Sequence, residues 1–152
     1  MNIAHPSGRE VLELFFSYAH VDEPLRDKLA HHLSAMQREG LITQWHDRRI
    51  NASEKWAKEI DIHLNTAHII LLLVSSDFIA SDYCFGIELT RAMERSLQNE
   101  ARLVPIILRP CDWHGMPFAR LQALPTNGKP ITSWPNIDEA FTDVARQLRR
   151  TI

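Results

Sequence analysis

The sequence predicts an α/β domain whose sheet is flavodoxin-like: doubly wound, parallel and five-stranded in the order 2-1-3-4-5, with helices on both faces. Two observations lead to this prediction. Apolar runs of strand length alternate with segments whose apolar residues recur at helical spacing. The run His68–Val74 is almost continuously aliphatic, which is typical of a parallel strand covered on both faces. The length of 152 residues fits one such domain.

Two strands and the helix between them come from the first part of the chain. Leu12–Tyr18 is a short run rich in aromatic residues, which predicts a buried strand. Asp22 is a candidate cap for a helix that begins near Glu23, with proline in its first turn. A second strand is predicted at Leu41–Trp45, and the polar stretch His46–Ser53 is predicted to be a loop.

The alternation continues to the C-terminus. A helix after Ser53 places Trp56, Ile60 and Leu64 on one face. Further predicted elements are a helix opened by Ser81–Asp82, a buried strand at Arg102–Leu108, a short strand at Lys129–Thr132 and a last helix at Ile137–Arg149.

Composition excludes several classes of protein. The formal charge is −2, which gives no reason to expect binding to nucleic acid or to a membrane surface. Cys84 and Cys111 are too few for a disulfide framework, and the apolar run Ile69–Val74 is too short to span a bilayer. We expect one cytoplasmic domain covering residues 1–152, with a core of about 10–150, which is also compatible with excision from a longer protein.

The common cofactor motifs are absent from the sequence. Neither G-x-G-x-x-G nor the P-loop pattern occurs, and there is no G-x-S-x-G nucleophile elbow. The eight histidines are scattered, whereas a metal site needs several convergent ligands. We therefore expect neither a bound cofactor nor a metal.

Three segments, in order along the chain, resemble the motifs of TIR (Toll/interleukin-1 receptor) domains, and of the bacterial type in particular. Leu14–Asp22 is similar to box 1, F-[IL]-S-Y-x-x-x-D. Trp45–Trp56 is similar to the BB loop, D-x-x-I-x-x-G-x-x-W. Ser75–Cys84, followed by Glu88, is similar to S-x-x-[FY]-x-x-S-x-[WY]-C with a helix glutamate. Two positions depart from the pattern: Ser53 replaces the BB-loop glycine, and Cys84 stands where many NAD-cleaving members have tryptophan.

Glu88 is the main candidate for chemistry. By resemblance it matches the catalytic glutamate of members that cleave NAD⁺ into nicotinamide and ADP-ribose or a cyclic form, and that act after self-assembly in bacterial immunity or signalling. A carboxylate can stabilise the cation that develops when the nicotinamide–ribose bond breaks. The alternative is a solvated glutamate that pairs with Arg91 or Arg95 on a helix surface.

The resemblance also implies further site residues, each with an ordinary structural alternative such as core packing or a solvated loop. NAD⁺ is the expected substrate, and its expected contacts are Tyr18, His20, Asp47, Arg48, Trp56, Ser75, Tyr83 and Cys84. The expected BB-loop contacts to other TIR domains are Arg49, Ile50, Asn51, Ala52 and Ser53.

Two other functions compete with the enzyme. A TIR scaffold would self-associate through the BB loop and recruit other TIR domains without chemistry. A flavodoxin- or receiver-type domain shares the fold, but the box 1 segment lacks the paired acidic residues that a receiver carries there.

Overall fold

The computed structural model describes residues 10–45, 60 and 62–152. Within them, one parallel sheet has the order β2-β1-β3-β4. Its strands are β1 (Leu12–Ser17), β2 (Ile42–Gln44), β3 (Ile69–Val74) and β4 (Arg102–Ile107). β3 lies between β1 and β4, with Leu14 opposite Ile69 and Ile69 opposite Arg102. The predicted parallel neighbours in the middle of the sheet are thereby confirmed.

Helices cover both faces of the sheet, because residues of β3 alternate between two buried clusters. Ile69, Leu71 and Leu73 belong to the first cluster, which also holds the apolar faces of the helices after β1 and at the C-terminus. Ile70, Leu72 and Val74 belong to the second cluster, with the helices on either side of β3 in the chain. All six side chains are buried, as the unbroken aliphatic run predicted.

The helices follow the predicted order with local differences. The single helix expected after β1 is split at Leu33, and Asp22 precedes it without capping it through its side chain. Residues 62–66 are helical, and Ile60 and Leu64 are buried as predicted. The α-helices with printed bounds are α1 (Glu23–His32), α2 (Ser34–Arg38), α3 (Ser76–Ala80), α4 (Leu89–Leu97) and α5 (Ile137–Thr151).

The predicted fifth strand at Lys129–Thr132 is wrong, and the described sheet has four strands rather than five. A 3₁₀ turn, Ile131–Ser133, occupies that segment. Pro130 has no N–H to donate to a strand neighbour, which disfavours a paired strand there. The position beside β4 is held by Leu124 alone, which forms a parallel bridge with Ile106.

A π-helical segment, Asp82–Glu88, connects α3 to α4. Ser81 precedes it and caps it, because its hydroxyl accepts a hydrogen bond from the Cys84 N–H at 3.1 Å. π-helical turns are rare and frequently occur at functional sites. Glu88 is the last residue of this segment.

Candidate functional site

Glu88 lies at the carboxyl edge of the sheet, where the π-helical segment meets the end of β1. Ser17 is the last residue of β1, and its hydroxyl donates a 2.6 Å hydrogen bond to Glu88 Oε1. Glu88 is 4% exposed and Ser17 is 1% exposed. The carboxyl edge is where ligands bind in open parallel sheets, so this buried carboxylate is in the expected place for a site.

Burial dominates the electrostatics of Glu88. Desolvation raises the pKa of its carboxyl from 4.5 to about 7, because burial penalises the charged form. Hydrogen bonds from Ser17 and Cys84 oppose that rise, since both favour the carboxylate. A group with such a pKa changes its charge near neutral pH, and strongly perturbed carboxyls of this kind are concentrated at functional sites.

Cys84 is a buried thiol beside Glu88 rather than a nucleophile. Burial is the main reason that its pKa is raised to about 11, and the nearby negative charge of Glu88 adds to the effect. The thiol therefore keeps its proton at neutral pH. Its Sγ lies 3.3 Å from the carbonyl oxygen of Tyr18, which ties the π-helical segment to the end of β1.

The structure does not support the alternative of a solvated Glu88 paired with a helix arginine. Arg91 bonds instead to Asn65 and Glu94. Arg95 is buried and donates to backbone carbonyls around the start of β3 and the end of α4. Glu88 is left with neutral donors, which is why burial governs its pKa.

Tyr18 and His20 follow the end of β1. The Tyr18 side chain is half-buried against the first cluster, whereas Cys84 belongs to the second cluster. Its hydroxyl lies 3.4 Å from both Glu23 Oε2 and Arg26 Nη2, and the Arg26 guanidinium lies over its ring. His20 is exposed in the 3₁₀ turn that follows β1. In the described structure, the backbone of Tyr18 contacts the Glu88 neighbourhood and its ring packs against α1.

An ion-pair network centred on the buried Asp22 joins the carboxyl ends of three strands. Asp22, just after β1, accepts a 2.9 Å hydrogen bond from Arg109 Nε, just after β4. Ser75, just after β3, donates its hydroxyl to the other Asp22 oxygen. Arg109 also binds Asp77 on α3. This network uses the Asp22 side chain, which explains why it does not cap α1.

The expected substrate contact Ser75 is fully buried, and both hydrogen-bonding functions of its hydroxyl are used. It donates to Asp22 and accepts from the Phe78 N–H at 3.1 Å, which caps α3. The geometry therefore gives Ser75 a structural task in the described fold.

Replacing Ser75 tests that task. We expect Ser75→Ala to lower the free energy of unfolding by about 1–2 kcal/mol, because α3 loses its cap and buried Asp22 loses a donor. Urea denaturation measures the change. The neighbouring Ser76 is exposed, so Ser76→Ala serves as the control and should stay within about 0.5 kcal/mol of wild type. Equal stability of the two variants would contradict the structural role.

The remaining predicted residues divide into two groups. Tyr83 is half-buried at the border of the second cluster, one residue before Cys84. The others lie outside the described residues, so their predicted roles stay predictions: Asp47, Arg48, Arg49, Ile50, Asn51, Ala52, Ser53 and Trp56.

Sequence reasoning missed two parts of the site. Ser17 was noted only as part of box 1. The signal that could have found it is strand alternation: Ser17 lies two residues after Phe15, so both side chains point to the same face of β1, and Phe15 packs in the second cluster. The partnership of Asp22 with Arg109 joins residues 87 positions apart and has no local signal.

Two features are absent from the described part of the chain. Nowhere in it do three or more His, Cys, Asp or Glu side chains come together as a metal site would require. None of its helices combines the length and the apolar character needed to cross a membrane.

Fold and site together define a doubly wound α/β domain in which the side chain of Glu88 is buried at the C-terminal edge of the strands and has a pKa of about 7. The family model described as "TIR domain" matches residues 14–143. The chain belongs to the TIR domain family.

One relative and one solved structure show how far the similarity extends. The uncharacterized protein y4lF of Sinorhizobium fredii is 60% identical over 136 residues, covering 90% of this chain. The chain spans only 42% of that relative's length. The TIR domain of the Toll-related receptor TRR-2 from Hydra magnipapillata superimposes with a TM-score of 0.61 at 16% identity, covering 91% of this chain and 99% of that one. That likeness shows the fold.

Proposed function

We propose that this TIR domain is an NAD⁺ glycohydrolase, with Glu88 as its catalytic residue and NAD⁺ as substrate rather than cofactor. The observation that supports this most is the buried Glu88 carboxyl at the carboxyl edge of the sheet, whose pKa is about 7. Burying a carboxyl without a cationic partner lowers the stability of the fold. Buried, destabilising groups of this kind are found most often at functional sites, where the chemistry requires them.

The chemistry requires a negative group near the ribose. When the bond between nicotinamide and C1′ breaks, its electron pair leaves with neutral nicotinamide and a positive oxocarbenium centre remains. The ionised Glu88 stabilises that centre, and its charge acts strongly because little water surrounds it. Water then attacks C1′ and loses a proton to give ADP-ribose, or a nucleophile of the adenine closes a cyclic product.

Self-association is the second part of the proposal. Val21 and Ile87 are 62% and 59% exposed, in the segments that follow β1 and β3 near the carboxyl edge. We take these two exposed apolar side chains as the candidate contacts of this edge with another protein. We propose that other TIR domains are the partners, in bacterial immunity or signalling. A scaffold without chemistry is the alternative function that this same observation would support.

The BB loop supplies a test of assembly. Its cluster of charges includes Arg48 and Arg49, and cross-interface charge pairs are disrupted by sign reversal. We expect Arg48→Glu with Arg49→Glu to lower self-association measured by light scattering and to reduce nicotinamide release in parallel. Unchanged assembly with persisting NAD⁺ cleavage would remove the loop from this role.

A cytoplasmic location belongs to the same proposal. Cys84 and Cys111 are both free thiols, which is the state that a reducing compartment favours.

NAD⁺ cleavage is tested directly by incubating the purified chain with NAD⁺ and quantifying nicotinamide. Release of nicotinamide would support the enzyme. If assembled protein released no nicotinamide, the result would support the non-catalytic scaffold.

A further inference from the structure

The contact between Ser17 and Glu88 joins two elements that are 71 residues apart in sequence. Both side chains are almost completely buried, and the 2.6 Å separation is that of a strong hydroxyl–carboxylate hydrogen bond. The Ser17 backbone is held by its pairing in β1, opposite Leu72 of β3. The donor is therefore attached to an inner strand of the sheet, paired on both sides.

Few other groups act on Glu88 in the described structure. From its own segment, the Cys84 thiol is a weak donor, and its single proton also faces the Tyr18 carbonyl. From beyond β1, Asp22 is close enough to affect Cys84, but its own charge is paired with Arg109. Ser17 on β1 is thus the one strong neutral donor to Glu88 among the described residues.

We propose that Ser17 is a positioning residue, whose hydroxyl holds Glu88 Oε1 in the orientation that the NAD⁺-cleaving site requires. This inference rests on the proposed function and deepens it. Without the hydroxyl, Glu88 is free to adopt other rotamers, and its ionised form loses its strongest hydrogen bond. The role differs from that of Glu88 itself, because Ser17 acts on the carboxylate and not on the reacting atoms.

The first experiment follows the titration of Glu88 without any substrate. Carboxyl resonances of chains labelled with ¹³C on glutamate are recorded against pH, and the Glu88 signal is assigned by its loss in Glu88→Gln. Ser17→Ala should move the Glu88 pKa upward from about 7, while Ser17→Thr, which keeps the hydroxyl, should leave it near the wild-type value. Ser75→Ala is the matched control, because it removes a buried hydroxyl that bonds to Asp22 instead.

The second experiment follows nicotinamide release from NAD⁺ against pH. Because the ionised carboxylate is the active form, the rate should rise through the Glu88 pKa, and Ser17→Ala should shift that rise to higher pH. Below the pKa, we expect Ser17→Ala to lower the rate by about tenfold or more, which is the usual scale of a hydrogen bond to a charged group. Ser17→Thr should restore most of it.

The two readouts separate the two ideas. If the wild type releases no nicotinamide, the proposed function fails, and the titration still decides whether Ser17 controls Glu88. An upward shift in Ser17→Ala that Ser17→Thr reverses supports the inference. A Glu88 titration unchanged by Ser17→Ala, or shifted equally by Ser17→Thr, overturns it.

Discussion

Glu88→Gln is expected to reduce nicotinamide release from NAD⁺ by at least about 10²–10³-fold, which is the usual loss when one preorganised electrostatic group is removed from an active site. The substitution keeps the size of the side chain and an oxygen that accepts from Ser17, but removes the negative charge. A neutral amide cannot stabilise the oxocarbenium centre as a carboxylate does. Circular dichroism confirms that the variant is folded.

A matched control is available on the neighbouring helix. Glu94 lies on α4, is exposed, and pairs with Arg91 at 3.1 Å. Such a surface pair contributes little to stability, so Glu94→Gln should cleave NAD⁺ at the wild-type rate. A folded Glu88→Gln chain that is as active as Glu94→Gln would remove Glu88 from the mechanism.

The second large effect concerns stability against pH and needs no substrate. The Glu88 pKa is about 7 in the folded chain and 4.5 ordinarily. Below about pH 4.5 the carboxyl is protonated in both states, and its neutral form is accommodated fully. Between about pH 4.5 and 7 the unfolded chain releases this proton while the folded chain keeps it, so stability falls across that range and levels off above about pH 7, where the folded chain holds the buried charge. A shift of this size corresponds to about 3 kcal/mol at most.

Glu88→Gln should abolish that loss, because its amide does not titrate. The difference in unfolding free energy between Glu88→Gln and wild type should therefore increase by about 3 kcal/mol in favour of the variant between pH 4.5 and pH 8. Urea denaturation at several pH values measures it. The test is how this difference in unfolding free energy changes with pH. The buried amide N–H₂ introduced by Glu88→Gln also changes stability, but by the same amount at every pH. A flat difference would contradict the raised pKa of Glu88.

The arrangement of the sheet was predictable because burial leaves a pattern in the chain. Strands covered on both faces, such as β3, are continuously apolar, and alternating helices imply parallel neighbours. The fifth strand was mispredicted at Lys129–Thr132, in a stretch rich in proline, whereas the bridge beside β4 is formed earlier in the chain by Leu124. The five-residue α3 was missed, although Ser75 followed by Asp77 is a recognisable cap with an acidic first turn.

The candidate site was predictable only in part. The resemblance to TIR domains pointed to Glu88, but its burial and its raised pKa come from tertiary packing. The partner of Glu88 depends on how the π-helical segment meets β1, and a π-helical turn has no reliable local pattern. The position of the Tyr18 ring depends on which face of the sheet it occupies and on its packing against Arg26, neither of which has a local signal.

We propose above all that this domain breaks the nicotinamide–ribose bond of NAD⁺. The most direct measurement is chromatographic quantification of nicotinamide from NAD⁺ incubated with the purified wild-type chain, at concentrations where light scattering shows assembled protein. We expect nicotinamide in equal amount to ADP-ribose or its cyclic form, accumulating with time and lost in Glu88→Gln. Assembled, folded wild type that leaves NAD⁺ intact would contradict it.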